Sequence, residues 1–444
     1  MQTEIKNSKL EKILDLAKKD GATSVEIIQK SWSENPVSFE NNTLKSLESN
    51  QNTGISIRLI KNKKIGSSSS TDPDALESLV TAAIEASEFG PEATFEFTKE
   101  NISVEALHAT PLQQELLLEN LVERGTNVIE SLGTFHKDLL VSGGFNLGFG
   151  ETVYLNSNGV SGKKKKSIYS TSFSALLVQD EDFLGIYDSN SNLKDFPDEK
   201  EISKKILEKL NHSKATLTLE TKKYPVIFTP RAVASVFREI LEVMLNGKVI
   251  QQKVSPLVDK LGKELFDKRF SFIEDPTIGT NATLFDDEGI KTTKKHLIKN
   301  GVVNSFYFDL SSASRDVARY VSTGNGFKGS LTQPPSPNLT SLVIDGGKTK
   351  YNDLIKNIKE GVLVDQLLGA GQSNTLAGEF NVGIDLGFKI KDGRIQGRVK
   401  NCMIAGNIFE ILKNISEISK EQEWVSGSML FPAFLIESMT VAGR

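Results

Sequence analysis

The sequence predicts an α+β fold in which an N-terminal mixed α/β domain is followed by a β-rich C-terminal domain. Apolar residues recur at helical spacing over 8–19 and in alternation over 54–60, so helices and strands are interleaved early. Beyond residue 246 the chain consists mostly of short apolar runs separated by Gly and Pro turns. A chain of 444 residues is longer than one hydrophobic core usually supports, so we expect two domains, 1–215 and 216–444.

The N-terminal domain is predicted to begin with a helix that ends at the glycine stop signal Asp20-Gly21. Short segments rich in β-forming residues then predict strands at 24–29, 37–40, 44–49 and 54–60, the last forming a hairpin into 65–68. The cap-like residues 72–74, with Pro73 at the first helical position, predict a second helix. A third helix fits 111–131.

A β-rich meander is predicted over 139–186, with turns at Gly143-Gly144 and at 156–159. Four consecutive lysines at 163–166 are interpreted as a solvated hairpin tip, because no aromatic residues or wider basic surface accompany them. A polar helix over 195–214 closes the first domain.

The second domain is predicted to open with a strand at 224–228 and a helix at 230–246. One face of this helix is continuously apolar, as core packing requires: Val233, Val236, Phe237, Ile240, Leu241, Met244 and Leu245. We therefore interpret the helix as a scaffold element.

Bulk composition excludes several classes of protein. A net charge of −4 gives no general attraction to nucleic acid or to an anionic membrane, and no partner of either kind is expected. The single cysteine, Cys402, excludes an intrachain disulfide and a Cys-rich zinc site. The apolar stretch at 429–441 is too short to span a bilayer, and residues 1–19 lack the apolar core of a secretion signal, so we expect a cytoplasmic protein.

Common catalytic motifs are missing or stand in the wrong context. The four histidines, His108, His136, His212 and His296, are too far apart for a helix-borne zinc pair. Residues 324–329 satisfy G-x-G-x-x-G, but a proline segment follows instead of a helix, which predicts a loop without phosphate binding. The acidic run 286–289 is interpreted as a turn between strands, although its paired carboxylates could also do acid–base chemistry.

Several ordered blocks carry a resemblance to a known family. They are F-D-D-E-G-I at 285–290, L-I-K-N-G-V-V at 297–303, S-T-G-N-G at 322–326, G-E-F-N-V-G at 378–383 and I-A-G-N at 404–407. In order and spacing they resemble the TldD/PmbA family of peptidases, also named modulators of gyrase. The closing residues 430–437 look more like its PmbA (TldE) branch than its TldD branch.

The resemblance bears directly on metal binding. The metal-bearing branch carries what looks like H-E-x-x-x-H in the helix at 230–246, and there Arg238 and Val243 occupy the histidine positions while Glu239 keeps the glutamate. Neither arginine nor valine ligates zinc. Cys402, in the half that supplies that branch's cysteine ligand, is interpreted as a core residue entering a helix. The resemblance thus implies no catalytic residue and no metal ligand in this chain.

The implied function is that of the non-metal subunit of a heterodimeric metalloprotease acting on unfolded or extended peptides. A TldD-like partner subunit would supply the zinc, and this chain would complete the chamber. Loops expected to line the chamber and bind substrate contain Gly324, Asn325, Gly326, Ser373, Asn374, Gly378 and Glu379.

Three alternatives stay open, and the sequence does not decide whether this chain is itself an enzyme. The chain could be an autonomous peptidase with an unrecognised site, for instance Glu239 with His296. It could be a non-enzymatic protein that modulates gyrase or a toxin–antitoxin pair. It could also be a homodimeric scaffold without a protease partner.

Overall fold

The fold combines two large β-sheets with helices packed against them, which confirms the predicted α+β class. A computed structural model describes residues 8–100, 102, 105–107, 114–180, 182–316, 318–369, 371 and 374–443. Within these residues no helix combines the length and apolar character that crossing a membrane requires.

The first half of the chain forms an eight-stranded sheet with the order β4-β3-β1-β6-β7-β5, to which β2 adds on β1 and β8 on β7. Its elements are α1 (Ser8–Lys19), β1 (Ser24–Glu40), β2 (Thr43–Leu47), β3 (Asn50–Lys61), β4 (Lys64–Ser70), α2 (Leu76–Phe89), β5 (Glu105–Leu107), α3 (Gln114–Gly133), β6 (Leu140–Asn156), β7 (Ser161–Gln179), β8 (Asp182–Asn192) and α4 (Glu199–His212).

The second half forms a twelve-stranded mixed sheet whose centre is β16-β22-β10-β17-β18. Its elements are β9 (Thr216–Leu217), β10 (Lys222–Phe228), α5 (Pro230–Val233), α6 (Glu239–Leu245), α7 (Gly247–Gln251), β11 (Phe272–Glu274), β12 (Lys295–Lys299), β13 (Val302–Val303), α8 (Leu310–Ala313), β14 (Gly326–Phe327), β15 (Ser336–Pro337), β16 (Leu342–Ile344), α9 (Tyr351–Lys356), β17 (Glu360–Leu368), β18 (Glu379–Lys391), β19 (Arg394–Val399), β20 (Cys402–Asn407), α10 (Ile408–Lys413), β21 (Glu417–Val425) and β22 (Met429–Ala442).

Two local predictions in the first half are wrong. The predicted strands 24–29 and 37–40 are parts of the single 17-residue strand β1. Gly143 and Gly144 lie inside β6 and not in a turn, with φ of 140° and 143°. A Cβ on Gly144 would lie 1.9 Å from the Val37 oxygen of β1, so glycine is needed there for close strand approach.

The four lysines at 163–166 are also misplaced by the sequence interpretation. They lie within β7, where all four pair with β6 and the last three also pair with β5. A run of like charges is tolerated inside a strand because successive side chains point to opposite faces of the sheet.

The two sheets share a core. One apolar cluster joins first-half residues such as Phe145 and Phe173 to second-half residues such as Ile227, Leu363 and Phe388. The change of sheet falls between β8 and β9, close to the expected boundary at 215/216. The division into domains 1–215 and 216–444 stays a prediction, since the shared core ties both halves together.

A buried charge network connects the halves. Arg58 of β3 lies between Glu26 of β1, at 2.9 Å, and Glu288 of the second half, at 3.0 Å. All three side chains are at most 5% exposed, and the guanidinium also lies 5.1 Å from the ring centroids of Phe95 and Phe97. A single cation therefore contacts acidic side chains from both halves of the chain.

The predicted turn at 286–289 exists, with Gly289 at φ 70° and a bridge between Phe285 and Lys291. Its carboxylates, however, are buried and not solvated. Asp286 accepts hydrogen bonds from the backbone N–H groups of Glu288, Ile290 and Gly326. The turn is thus the anchor that fastens the second half to the N-terminal sheet.

We expect Arg58→Met to lower the free energy of unfolding by about 3–5 kcal/mol, because it removes the donor that the buried carboxyl groups of Glu26 and Glu288 share. Urea unfolding monitored by circular dichroism measures the change. Arg394→Met, at an exposed site in β19, is the matched control and should change stability by less than about 0.5 kcal/mol. Equal effects of both substitutions would contradict a structural role for the network.

Stability should also depend on pH through Glu288. Burial raises its pKa to about 8, against the opposing effect of Arg58, from an ordinary value of 4.5. The folded state therefore binds a proton that the unfolded state releases, so this stabilisation is complete below pH 4.5 and is lost as pH rises towards 8.

The unfolding free energy of the native chain, measured from about pH 5 to 8, should therefore fall more steeply than that of Glu288→Gln, whose amide does not titrate. Glu77→Gln, at an exposed position of α2, should keep the native slope. A native slope in Glu288→Gln would show that another group is responsible.

Candidate functional site

The helix over 230–246 has the predicted scaffold character. Thr229 caps its start by accepting a hydrogen bond from Ala232 N, and Pro230 occupies the first turn. Its apolar face is fully buried, and Phe237 packs against Phe228 and Phe380, with ring centroids 5.1 and 6.0 Å away. All seven residues of the predicted apolar face are at most 2% exposed, which confirms that prediction.

A π-helical turn at Ala234–Arg238 interrupts this helix between α5 and α6. Such a turn inserts one extra residue into an α-helix and changes the directions of the side chains around it, and it occurs often at functional sites. Here it leads directly into the polar residues Arg238, Glu239 and Glu242, all partly exposed.

Arg238 and Glu242 form an ion pair one helical turn apart, with Nη1 2.8 Å from Oε2. Arg238 also donates through Nε to the Ala234 carbonyl. Burial raises the pKa of Glu242, and the adjacent guanidinium opposes this rise. Arg238 and Glu242 thus compensate each other's charge within the helix.

The donor set of this face does not fit zinc. Arg238 and Val243 stand where the resemblance places two histidines, and the guanidinium already contributes a positive charge there. Among the residues that the structure describes, no group of three or more His, Cys, Asp and Glu side chains is arranged to hold a metal ion. The expectation of no metal ligand in this chain stays a prediction.

Cys402 is a core residue, as predicted. It opens β20, which leads into α10, and it is 2% exposed. Burial raises the pKa of its thiol.

The histidines lie in separate places. His212 packs edge-on against Phe388 and has a pKa lowered by burial, His296 lies in β12, His136 is near the surface, and His108 falls outside the described residues. No hydrogen bond or ion pair between Glu239 and His296 is present in the described part of the chain.

The predicted chamber loop at Gly324, Asn325 and Gly326 is buried. Asn325 uses both ends of its amide inside the protein: Nδ2 donates to Glu274 and to the Asn338 carbonyl, and Oδ1 accepts from Lys295. These side-chain bonds fix the loop. Because the loop is buried, residues next to it would make any contact with a peptide. The role of Gly324, Asn325 and Gly326 in substrate binding stays a prediction.

The second predicted loop lies directly against the helix. Gly378, at φ 73°, packs so closely on Met244 and Phe409 that an added Cβ would meet them at 3.1 and 3.2 Å. Asn374 and Glu379 are exposed, and Ser373 lies outside the described residues. The contact of this loop with substrate also stays a prediction.

Tyr307 and Asn246 connect the two predicted loops through the helix. Tyr307 donates to the Glu242 carbonyl at 2.8 Å, and Asn246 donates to the carbonyl of Pro337, next to Asn338. The fold therefore brings the helix and both loops into one region.

A cleft of about 650 Å³ at the start of the helix was missed by the sequence reasoning. Its lining comes from both halves, namely β8, α4, α5, the π-turn, α9, β17 and the β21–β22 hairpin. Only the pairing of the two halves creates it, so no local sequence signal could have revealed it.

Charged groups in this cleft are paired. Lys209 lies 2.8 Å from Asp365 and 3.7 Å from Asp188, and Arg231 lies 3.3 Å from Asp188. Although burial opposes it, Lys209 and Arg231 hold the pKa of Asp365 below its ordinary value. The Arg231 guanidinium covers the ring of Tyr187 at 4.3 Å. The cleft thus offers oriented polar groups beside aromatic surface, a combination typical of binding sites.

The free edge of β8, which borders this cleft, is blocked against strand addition. The carbonyls of Phe183, Gly185 and Tyr187 accept hydrogen bonds from the side chains of Arg398, Gln366 and Arg231. Covering an edge in this way is a common protection against unwanted pairing.

Comparison with known proteins finds two family models that match this chain. Residues 221–443 match the family model described as PmbA/TldA metallopeptidase C-terminal domain, and residues 25–87 match the one described as PmbA/TldA metallopeptidase domain 1.

Three relatives illustrate the similarity. A Haemophilus influenzae protein described as metalloprotease PmbA homolog is 25% identical over 88% of this chain and 85% of its own length. From the same organism, a metalloprotease TldD homolog is 26% identical over 45% of this chain and 44% of its own length. The crystal structure of TldE from Thermococcus kodakarensis superposes with a TM-score of 0.86, at 25% identity, covering 98% of this chain and 100% of that one.

Proposed function

The chain belongs to the PmbA/TldD metallopeptidase family, and we propose that it is the non-metal-binding subunit of a heterodimeric metalloprotease that acts on unfolded or extended peptides. The observation that carries the proposal is the Arg238–Glu242 ion pair on the helix where the metal-bearing branch has its histidines. A guanidinium offers no acceptor atom to a metal ion, and its positive charge repels a metal cation.

The proposal divides the chemistry between two chains. The zinc, its ligands and the general base belong to a TldD-like partner, since Glu239 alone has no metal-bound water to activate. The presence of relatives named PmbA and TldD in one organism supports a pairing of two family members. The cytoplasm is the proposed location, and the single buried Cys402, which can form no intrachain disulfide, is consistent with it.

An exposed apolar patch offers a surface for the partner. Leu140, Leu176, Val178 and Phe183 are between 36% and 67% exposed. Leu140 pairs with Leu176, and Val178 pairs with Phe183, so the four side chains share one face of β6, β7 and β8. Contiguous exposed apolar surface of this kind commonly marks a protein interface.

The metal-bearing relative, this chain and their mixture should be assayed for zinc content and for cleavage of unfolded casein. We expect the isolated chain to hold no stoichiometric zinc and to cleave nothing, while the mixture cleaves faster than the relative alone. Stoichiometric zinc together with casein digestion by the isolated chain would overturn the proposal.

Two further results would separate the alternatives. Loss of activity of the isolated chain in Glu239→Gln would identify an autonomous peptidase that uses this carboxylate. Capture of gyrase by the chain in the absence of any metal-bearing relative would favour the regulatory alternative.

We expect Phe183→Lys to weaken binding to the metal-bearing relative by about tenfold or more, because it puts a charge into an apolar contact. Size-exclusion chromatography and titration of the purified chains measure this. Phe89→Lys is the matched control, since Phe89 is 91% exposed at the end of α2, away from the patch. Equal affinities for both variants would place the interface elsewhere.

A further inference from the structure

A second cavity, of about 470 Å³, lies between the N-terminal sheet and loops of the second half. Strand register defines its floor. Trp32 of β1, Gly150 of β6 and Lys166 of β7 form one row across the sheet, and Lys30, Thr152 and Lys164 form the next row on the same face. Lysine side chains therefore concentrate on this face.

The lysine run divides between the two faces of the sheet. Lys163 and Lys165 both pair with Glu151, at 2.7 and 3.0 Å. Lys164 and Lys166 point the other way, towards the loop at 280–285, where Lys166 donates to the Thr280 carbonyl at 2.8 Å. Lys163 and Lys165 are thus paired with a carboxylate, whereas the side chains of Lys164 and Lys166 point towards the cavity.

The charges of the cavity are unbalanced. Its lining contains five lysines and two carboxylates: Lys30, Lys164, Lys165, Lys166 and Lys328, with Glu151 and Asp287. Lys165 and Glu151 pair with each other at 3.0 Å. Asp287 is already engaged, since it lies 2.7 Å from Lys30 and accepts a hydrogen bond from Lys328 N. Five ammonium groups against two carboxylates leave an excess of three positive charges around the cavity.

Two of these lysines have no carboxylate partner in the described part of the chain. Lys166 and Lys328 each donate one hydrogen bond, to the carbonyls of Thr280 and Gln333. An ammonium group carries three donors, so both keep capacity for a ligand. Burial, followed by repulsion from neighbouring cations, lowers the pKa of each to about 8. A bound anion would relieve this repulsion.

We propose that this cavity, here called the lysine pocket, binds the phosphate group of a small molecule. Ammonium groups approach from β1, β7 and the 327–328 segment, and separate point charges suit a tetrahedral oxyanion better than a planar carboxylate, for which the arginine fork is the better match. Trp32 and Phe327 line the same cavity and offer apolar walls for the organic part of the ligand.

The glycines beneath Trp32 support a built pocket. A Cβ at Gly148 or Gly150 would lie 2.4 Å from an indole carbon, so both positions must be glycine for the ring to lie flat against β6. The inference is independent of the proposed peptidase role, since it uses neither the helix at 230–246 nor the apolar patch.

Calorimetric titration of the full chain with inorganic phosphate, and separately with citrate, tests the proposal. We expect saturable binding of phosphate and weaker binding of citrate. Lys166→Met should weaken phosphate binding by about tenfold, whereas Lys163→Met, in the same strand but on the Glu151 face, should change it by less than about twofold.

A chemical readout complements the titration. Because its pKa is about 8, Lys166 should be acylated by an amine-reactive ester at pH 8, and phosphate should slow this reaction while leaving Lys163 unaffected. Peptide mass spectrometry measures both rates. If Lys166→Met does not fold, as judged by circular dichroism, Lys328→Met serves as the second variant with the same expectation.

Three outcomes would overturn the proposal. Equal losses in Lys166→Met and Lys163→Met would indicate general surface charge. Tighter binding of citrate than of phosphate would assign the pocket to carboxylates. Absence of saturable phosphate binding up to about 10 mM would exclude the site.

Discussion

The fold depends on one buried guanidinium. Arg58 lies between a carboxylate of the first sheet, Glu26, and one of the second half, Glu288, and all three side chains are buried. Buried charges are tolerated only with a partner of good geometry, and here the partners come from distant parts of the chain. The network therefore fixes how the halves meet. Since the 650 Å³ cleft and the lysine pocket both lie where the halves meet, their shapes follow from this contact.

The helix over 230–246 has a buried apolar face that packs in the core and a polar face that carries charged residues. Its buried face packs aromatic side chains of the second sheet, and this packing does not depend on what its polar face carries. The helix contains a π-helical turn, a feature that is common at functional sites. The last residue of this turn is Arg238, which pairs with Glu242. On the proposed function, this helix serves in the present chain as a scaffold, and the metal chemistry belongs to the partner. The proposed division of labour between subunits requires no change in the fold.

The polar surfaces follow from strand alternation. In β7 the period of two sends one pair of lysines to Glu151 and the other pair into the lysine pocket. The same alternation in β6, β7 and β8 gathers Leu140, Leu176, Val178 and Phe183 on one exposed face. A single sheet thereby presents an apolar surface suited to a protein partner and a basic cavity suited to an anion. Both depend on register, which a one-residue shift would reverse.

The sequence alone determined the features that depend on local pattern, because periodicity and side-chain chemistry act over a few residues. These features are the α+β class, the helix at 230–246 with its apolar face, and the core position of Cys402. Ordered blocks also identified the family. Only the tertiary structure decided the rest. It placed the lysines at 163–166 inside a strand that pairs with β6 and β5. It also buried the carboxylates at 286–288, of which Asp287 and Glu288 bind Lys30 and Arg58, more than 200 residues away. Burial, register and charge balance across the halves are properties of the pairing, and no local stretch of sequence encodes them.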